Sequence, residues 1–350
     1  MSVALLLTMA LSAGVPGARR PQSASRVHQL QASPQTVVVG YFSAQAKPIL
    51  RIASEDIVEV DTLITSEPEG LRQMGLPESE IQRSLINITK EVTDQGPGGH
   101  ILTGPIFVEG AVPGDALEVR ILGVDLAVPY GYQACRADWT FVPSNCQNPR
   151  ARVIRLDQKK MTAQLGPGIE IHLHPFFGVM GVAPAPEAGR ISSNPPGNYG
   201  GNIDNKELIA GTKIFLPVRA EGALFEVGDG HAAQGDGETG GTALETSLRG
   251  RLQFVVRKDM HLKQPRAETS NEFITMGADR DLVKAAKIAV QEMTDFLMEK
   301  CALPRTEANR VAGIVADLHI AEVADESVGV YMTIPKGIFA SDCSGNHGLQ

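Results

Sequence analysis

Between Gly228 and Glu238 the chain reads GDGHAAQGDGE, which sets two aspartates, a histidine, a glutamine and a glutamate among four glycines. The stretch runs off a strand-like segment, GALFEVG, and in extended chain residues two apart share a face, so Asp229 and His231 project together. An imidazole beside a carboxylate suits a divalent cation such as zinc. Glu238 follows a glycine-rich turn and can return to the same cavity as a ligand or a general base. Aspartate and glycine also build plain hairpin turns, and by pattern alone a solvated loop stays open as the alternative.

Two other glycine-rich segments concentrate polar residues, DQGPGGH (Asp94 to His100) and NPPGNYGGNIDNK (Asn194 to Lys206). Loops of this kind at strand ends can turn sharply and present side chains inward. His100 and Asp204 are the best residues to complete a metal cluster with Asp229 and His231. The fragment NIDNK has part of a calcium loop's composition but not its spaced acidic pattern with a terminal Glu. His172 and His174, in IEIHLHPFFG, share a strand face and offer either a second metal pair or, in the reading preferred here, a half-buried surface. Ser192 and Ser193 have no base identified by sequence, and no GxSxG, GxxxxGK[ST] or HExxH motif occurs.

The elements that must position these residues are mostly strands. At 350 residues, with 43% hydrophobic and 21% charged side chains, the chain has the composition of a globular protein with a large core. The 36 glycines and 22 prolines favour short elements joined by tight turns. A net charge of -8 lacks the basic footprint of a nucleic-acid binder. Strand character appears in TVVVGY, in Ile57 to Ile64, in two runs flanking AVPGD, and in KIFLPV, GALFEVG and LRGRLQFVVRK. This spacing predicts an antiparallel sandwich or barrel and not repeated βαβ units. A short helix is expected at Pro77 to Leu85. An amphipathic helix starts with a cap near Asp279, a second runs from Thr306 to about Leu318, and YMTIPKGIF returns to strand. The fold class expected is mainly β, with a C-terminal α/β section.

Residues 1–18 fit the apolar region of a secretory signal peptide, although no basic residue precedes the apolar run. Export would make the protein secreted or extracytoplasmic; otherwise it is cytoplasmic. Residues 19–36 are Pro/Ser-rich and are expected to form a linker, with the domain proper at 37–345, and no later segment is apolar enough to span a membrane. The four cysteines have no CxxC spacing; in an oxidising compartment Cys135 and Cys146 would close a loop around Trp139, and in a reducing one all four are thiols.

Several long runs carry a resemblance. They are GPGGHILTGPIFVEGAVPGDALEVRIL, HPFFGVMGVAPAP, GRISSNPPGNYGGNIDNKELIAGTKIFLPVRAEGALFEVGDGHAAQGDGETGGTALE and VAGIVADLHIAEVAD. In wording and order, from about residue 40 to 340, the chain resembles the acetamidase/formamidase family. The resemblance implies a β-sandwich that hydrolyses short amides, formamide or acetamide, to ammonia and carboxylate, with a bound divalent metal, zinc or else calcium. With a metal in that site, metal chemistry assigns ligation to His231, Asp204, His100 and Asp229, proton transfer to Glu238, and substrate contacts to Asn202 and Gln234; the resemblance also implies assembly into a homo-oligomer. The competing readings are a hydrolase of a larger or cyclic amide and a non-catalytic metal- or carbohydrate-binding sandwich. Cys135 to Cys146 matches no feature of the family.

Overall fold

The computed structural model describes residues 25–135, 151–340 and Cys343. The expected leader at 1–18, the first part of the expected linker, Trp139 and Cys146 lie outside the described residues.

Among these residues strands dominate and fall into two large sheets. The first contains nine strands in the spatial order Val27–Leu30, Ile57–Asp61, Leu248–Arg257, Ala116–Leu126, Lys213–Pro217, Arg266–Glu268, Glu272–Asp279, Val328–Pro335 and Asp317–Glu322. The second runs from Ile169–His172 at one end, through Tyr130–Ala134, Leu244–Thr246, Phe225–Ala233 and Phe176–Gly181, to Gly200–Asn202 and Pro196–Gly197. Strand Ile101–Val108 lies alongside Phe225–Ala233 as well, antiparallel to it. The alternation in LRGRLQFVVRK is plain in burial: Leu248, Gly250, Leu252 and Phe254 turn inward while Arg249 and Arg251 are exposed.

One continuous apolar core fills the space where the sheets meet. Phe225 and Phe254 cross edge to face with ring centroids 5.1 Å apart, and Phe42, Phe177, Leu117 and Leu252 are fully enclosed beside them. Burying each of these side chains contributes about 1.5–3 kcal/mol relative to exposure, before the cost of ordering the chain. The strand spacing left a sandwich or a barrel open; the two packed sheets make it a sandwich.

Four local readings need correction. Val27–Leu30, inside the expected linker, is an edge strand paired in parallel with Ile57–Asp61; four residues among prolines and serines are too few for their alternation to stand out. The short helix starts later, Arg83–Glu91, after a single helical turn at Glu78–Glu80, and another helix covers Pro68–Gln73. The long helix is Leu282–Cys301, capped by Asp281, whose side chain accepts from the Lys284 N–H at 3.0 Å. The next helix is Arg305–Val315, ended by the chain's entry into the strand Asp317–Glu322, which claims Leu318. Cys301 and Cys343 form a disulfide, a pairing not foreseen from spacing.

Helix Leu282–Cys301 lays Ala285, Ala289, Met293 and Leu297 against Glu272–Asp279 and Val328–Pro335, a stripe at four-residue spacing. Contact is closest at Gly277, where an added Cβ would sit 2.4 Å from the Ala285 carbonyl oxygen and 2.6 Å from the Ala289 nitrogen. Gly277→Ala is therefore expected to lower unfolding free energy by about 1–3 kcal/mol, because helix and strand must separate. Urea unfolding measures this; an unchanged midpoint would show that the packing tolerates a methyl.

Candidate active site

His231 sits near the end of strand Phe225–Ala233, in the interior of the second sheet, and is 1% exposed. Its two ring nitrogens face different groups. Nδ1 lies 2.9 Å from Gln234 Oε1, and because an amide oxygen only accepts, Nδ1 carries a proton in this contact. The amide orientation is fixed by its other end, where Gln234 Nε2 donates to the carbonyl oxygens of Asp204 at 2.7 Å and Ala321 at 3.1 Å. Nε2 lies 3.0 Å from Asp229 Oδ2 and 3.4 Å from Glu245 Oε1.

The remaining members close around this ring. Asp204 Oδ1 is 3.8 Å from His231 Nδ1, and His100 Nε2 is 3.8 Å from Asp229 Oδ2. Thr65 donates its hydroxyl to Asp229 Oδ1 at 2.7 Å. His231, Glu238 and Glu245 bring one ligand atom each within 4.8 Å of one another, and so do Asp204, Asp229 and His231. The fold thus brings together all five of His100, Asp204, Asp229, His231 and Glu238.

Backbone conformation is unusual at three of the five. Asp204, Asp229 and Glu238 have φ of 47°, 52° and 41°, in the left-handed region that costs a residue with a side chain about 1–2 kcal/mol. Gly178, in the neighbouring strand across from Asp229, faces the carboxylates. A Cβ on Gly178 would lie 2.5 Å from Asp204 Oδ1, 2.6 Å from Asp229 Oδ2 and 2.7 Å from His231 Cε1. The absence of a side chain there leaves room for the cluster.

Electrostatics sharpen the picture. Burial pushes Asp204, Glu238 and Glu245 above the ordinary carboxylate range, and repulsion from neighbouring carboxylates adds to it, while His231 opposes it. At Asp229 burial acts the same way but is outweighed by His231, His100 and Thr65, so its carboxyl is held low. At His231 burial favours the neutral ring, yet Glu245 and Asp229 raise its pKa well above the usual value. Several buried atoms have no hydrogen-bond partner: both Asp204 carboxylate oxygens and Glu245 Oε2. Unpaired carboxylate oxygens beside an imidazole nitrogen form a donor set that fits a divalent cation.

The other sequence candidates are placed as follows. Asn202 is buried and gives its Nδ2 to Asp325 Oδ2 at 2.6 Å, leaving Oδ1 without a partner. His172 and His174 are exposed at the end of the second sheet, outside both groups of ligand atoms. Ser193 is fully buried, with Oγ 3.0 Å from His100 Nδ1. A Cβ on Gly98 would come within 2.2 Å of that oxygen, so Gly98 packs directly on Ser193, which is placed to orient the His100 ring.

Sequence reasoning missed Glu245, Thr65 and Glu322. Glu245 was findable: it sits directly across from His231 in the antiparallel pair that the glycine-rich turn joins. Thr65 reaches Asp229 across 164 residues of chain, with no local signal. Glu322 is fully buried beside the loop carrying Glu238, where its strand bridges Gly237.

A cleft of about 460 Å³ adjoins the cluster, with Glu238 and Gln234 in its wall and Ile154, Leu165, Ile171 and Leu244 around it.

The sequence profile of the Acetamidase/Formamidase family matches residues 95–194 and 187–340. The chain is 27% identical over 197 residues to the acetamidase of Mycolicibacterium smegmatis, an overlap of 40% of this chain and 48% of that one. It thus spans about half the length of the sequence relatives it matches. Among solved structures, a predicted acetamidase/formamidase from Thermoanaerobacter tengcongensis superposes with a TM-score of 0.77 at 27% identity, covering 90% of this chain and 97% of that one. The acetamidase of Bacillus halodurans gives 0.75 at 26% identity, over 89% and 98%. The chain belongs to the acetamidase/formamidase family.

Glu322 offers a test of the buried charge. Burial, reinforced by Asp325, raises its pKa to about 8 against the N–H groups of Ala324 and Asp325 that favour the anion. Between an unfolded value of 4.5 and about 8 the folded chain holds a proton that the unfolded chain has lost. Stability of chelator-treated protein should therefore fall as pH rises through that window, by at most about 1.4 kcal/mol per pH unit from this group. Urea unfolding at several pH values should show a shallower decline in Glu322→Gln; an identical slope would remove Glu322 as its source.

Proposed function

We propose that the chain hydrolyses the C–N bond of carboxamides at the His231 cluster, with a divalent cation bound there. The observation that carries this reading is the position of Glu238. It alone among the carboxylates gathered around His231 lines the cleft, so it links a buried ion site to the space open to a substrate.

Asp204, Asp229, Glu245 and His231 Nε2 would hold the cation, with His100 beside Asp229. Such an ion, when bound, supplies Lewis-acid polarisation of the amide carbonyl and lowers the pKa of water. The protein's own residues do the rest. Glu238, whose pKa burial raises, takes a proton at its carboxylate and returns it to the nitrogen, which must be protonated to depart. Gln234, expected to bind substrate, has Oε1 and Nε2 engaged with the protein, so we assign it to fixing the His231 ring with Nε2 turned toward the carboxylates. Asn202 retains Oδ1, an acceptor suited to a substrate N–H.

Zinc fits the mixed imidazole and carboxylate set better than calcium, which prefers oxygen alone. Of the two locations left open, export is proposed, supported by the Cys301–Cys343 disulfide, which suits an oxidising compartment. A homo-oligomer is proposed on family grounds. Among the described residues no helix is long and apolar enough to cross a membrane.

Purified protein is expected to release ammonia from formamide and acetamide, to lose that activity on chelation and to regain it with zinc. Glu238→Gln should reduce kcat by about 10²–10⁴ while metal content persists, whereas His231→Ala should lose the metal itself. Full activity in chelated, metal-free protein would overturn the metal-dependent reading. Gly178→Ala should lower metal stoichiometry, measured by elemental analysis, because its methyl occupies the space between Asp204 and Asp229.

A further inference from the structure

Formamide is hardly larger than a pair of water molecules, each of which takes up about 30 Å³ in the liquid. The cleft beside Glu238 is about 460 Å³, within the range of about 300–1,000 Å³ typical of sites for far larger ligands. Its size and lining call for a different occupant.

The walls come from separate strands. Leu165 and Ile171 project from the two antiparallel strands Thr162–Gly166 and Ile169–His172, Ile154 comes from Ala151–Asp157, and Leu244 from the strand that also carries Glu245. Leu165 and Ile171 are part-exposed, so they meet the cleft and do not vanish into the core. The polar side chains in the wall, Gln133, His172, Gln234, Glu238, Thr239 and Thr242, share it with these four aliphatic ones. Among the described residues no lysine or arginine lines the cleft, so none of them would attract an anionic substituent, and Glu238 is the only carboxylate among them that faces it.

The geometry points to a carboxamide bearing a neutral apolar group, about the size of a phenyl ring or a pentyl chain, as the substrate class, with the apolar group seated between Leu165, Ile171 and Leu244. This rests on the amidase reading of the same site and adds to it what the substrate carries beyond the amide. Apolar contact lowers the transition state for such a substrate through binding that formamide cannot make. Each methylene's worth of contact in a hydrophobic pocket changes kcat/KM by about 10–200-fold.

The experiment compares kcat/KM for formamide, acetamide, hexanamide and phenylacetamide in the metal-loaded wild type, Leu165→Trp and Ile171→Trp, with folding of each variant checked by thermal melting. The expected result is a wild-type preference for the two larger amides, with the phenylacetamide-to-formamide ratio reduced about tenfold or more when either indole fills the cleft. A steady decline from formamide to phenylacetamide in the wild type overturns the inference, as does a ratio unaltered in both variants. If the wild type releases ammonia from none of the four, the amidase reading fails, and the cleft is then judged by calorimetric binding of phenylacetamide. Weaker binding to Leu165→Trp than to wild type supports it; no binding, or equal binding, overturns it.

Discussion

Mutual repulsion among buried carboxylates around a single imidazole is the constraint on which the rest of this structure depends. Asp204, Asp229, Glu238 and Glu245 are each under a tenth exposed, and His231 is the group they share. Removing one ion from water costs several kcal/mol even after relaxation, and a folded domain holds only about 5–15 kcal/mol in total. Such a cluster persists only if the surrounding fold supplies the stability and if a proton or a cation neutralises it. The raised pKa values of Asp204 and Glu238 are the proton's answer; the unpaired oxygens of Asp204 are where a cation would give another.

The sandwich meets this demand by placing the cluster on interior strands. Strand Phe225–Ala233 is paired on both sides, so the departure of Asp229 from extended geometry is held by neighbours that cannot shift independently. The loop after it is tied to the C-terminal section: Gly237 N–H donates to the Ala321 carbonyl and Val323 N–H to the Gly237 carbonyl, each at 3.0 Å. Asp236, in the same loop, takes a hydrogen bond from Tyr331 at 2.9 Å and faces Lys206 at 3.3 Å. The helices that look remote from the chemistry thus support it, since they pack on the strand that carries Tyr331.

How much of this the sequence discloses depends on whether the signal is local. Asp229 and His231 are two residues apart, and the period of a strand joins them even with a distorted backbone. His100 and Asp204 stand out because glycine surrounds each, and glycine marks backbone that must bend or come close. Glu245 needs the register of a hairpin, and a register is set by the loop's conformation, in which Glu238 itself adopts φ of 41°. Thr65 and Glu322 come from opposite ends of the chain, and nothing near either residue encodes the meeting. The same distinction explains the fold. Alternation in Leu248–Arg257 is long enough to read, while Val27–Leu30 becomes a strand only because Ile57–Asp61 lies beside it. The last helix ends before Leu318 because the start of strand Asp317–Glu322, a tertiary event, stops it.

Glu238 joins two environments that favour opposite things. On one side lies the cluster, where a charge is tolerable only when compensated; on the other lies a cleft walled by Ile154, Leu165, Ile171 and Leu244. A carboxylate facing bulk water would stay ionised and make a poor acid, whereas one deep among the other acids could not reach a substrate. At the boundary, burial raises its proton affinity while the cleft gives it access. An apolar group seated in that cleft would displace water from the carboxylate and strengthen every electrostatic interaction behind it. Substrate shape and proton transfer are then coupled through one side chain, which gives a physical reason for a left-handed backbone at Glu238 where a glycine would cost less.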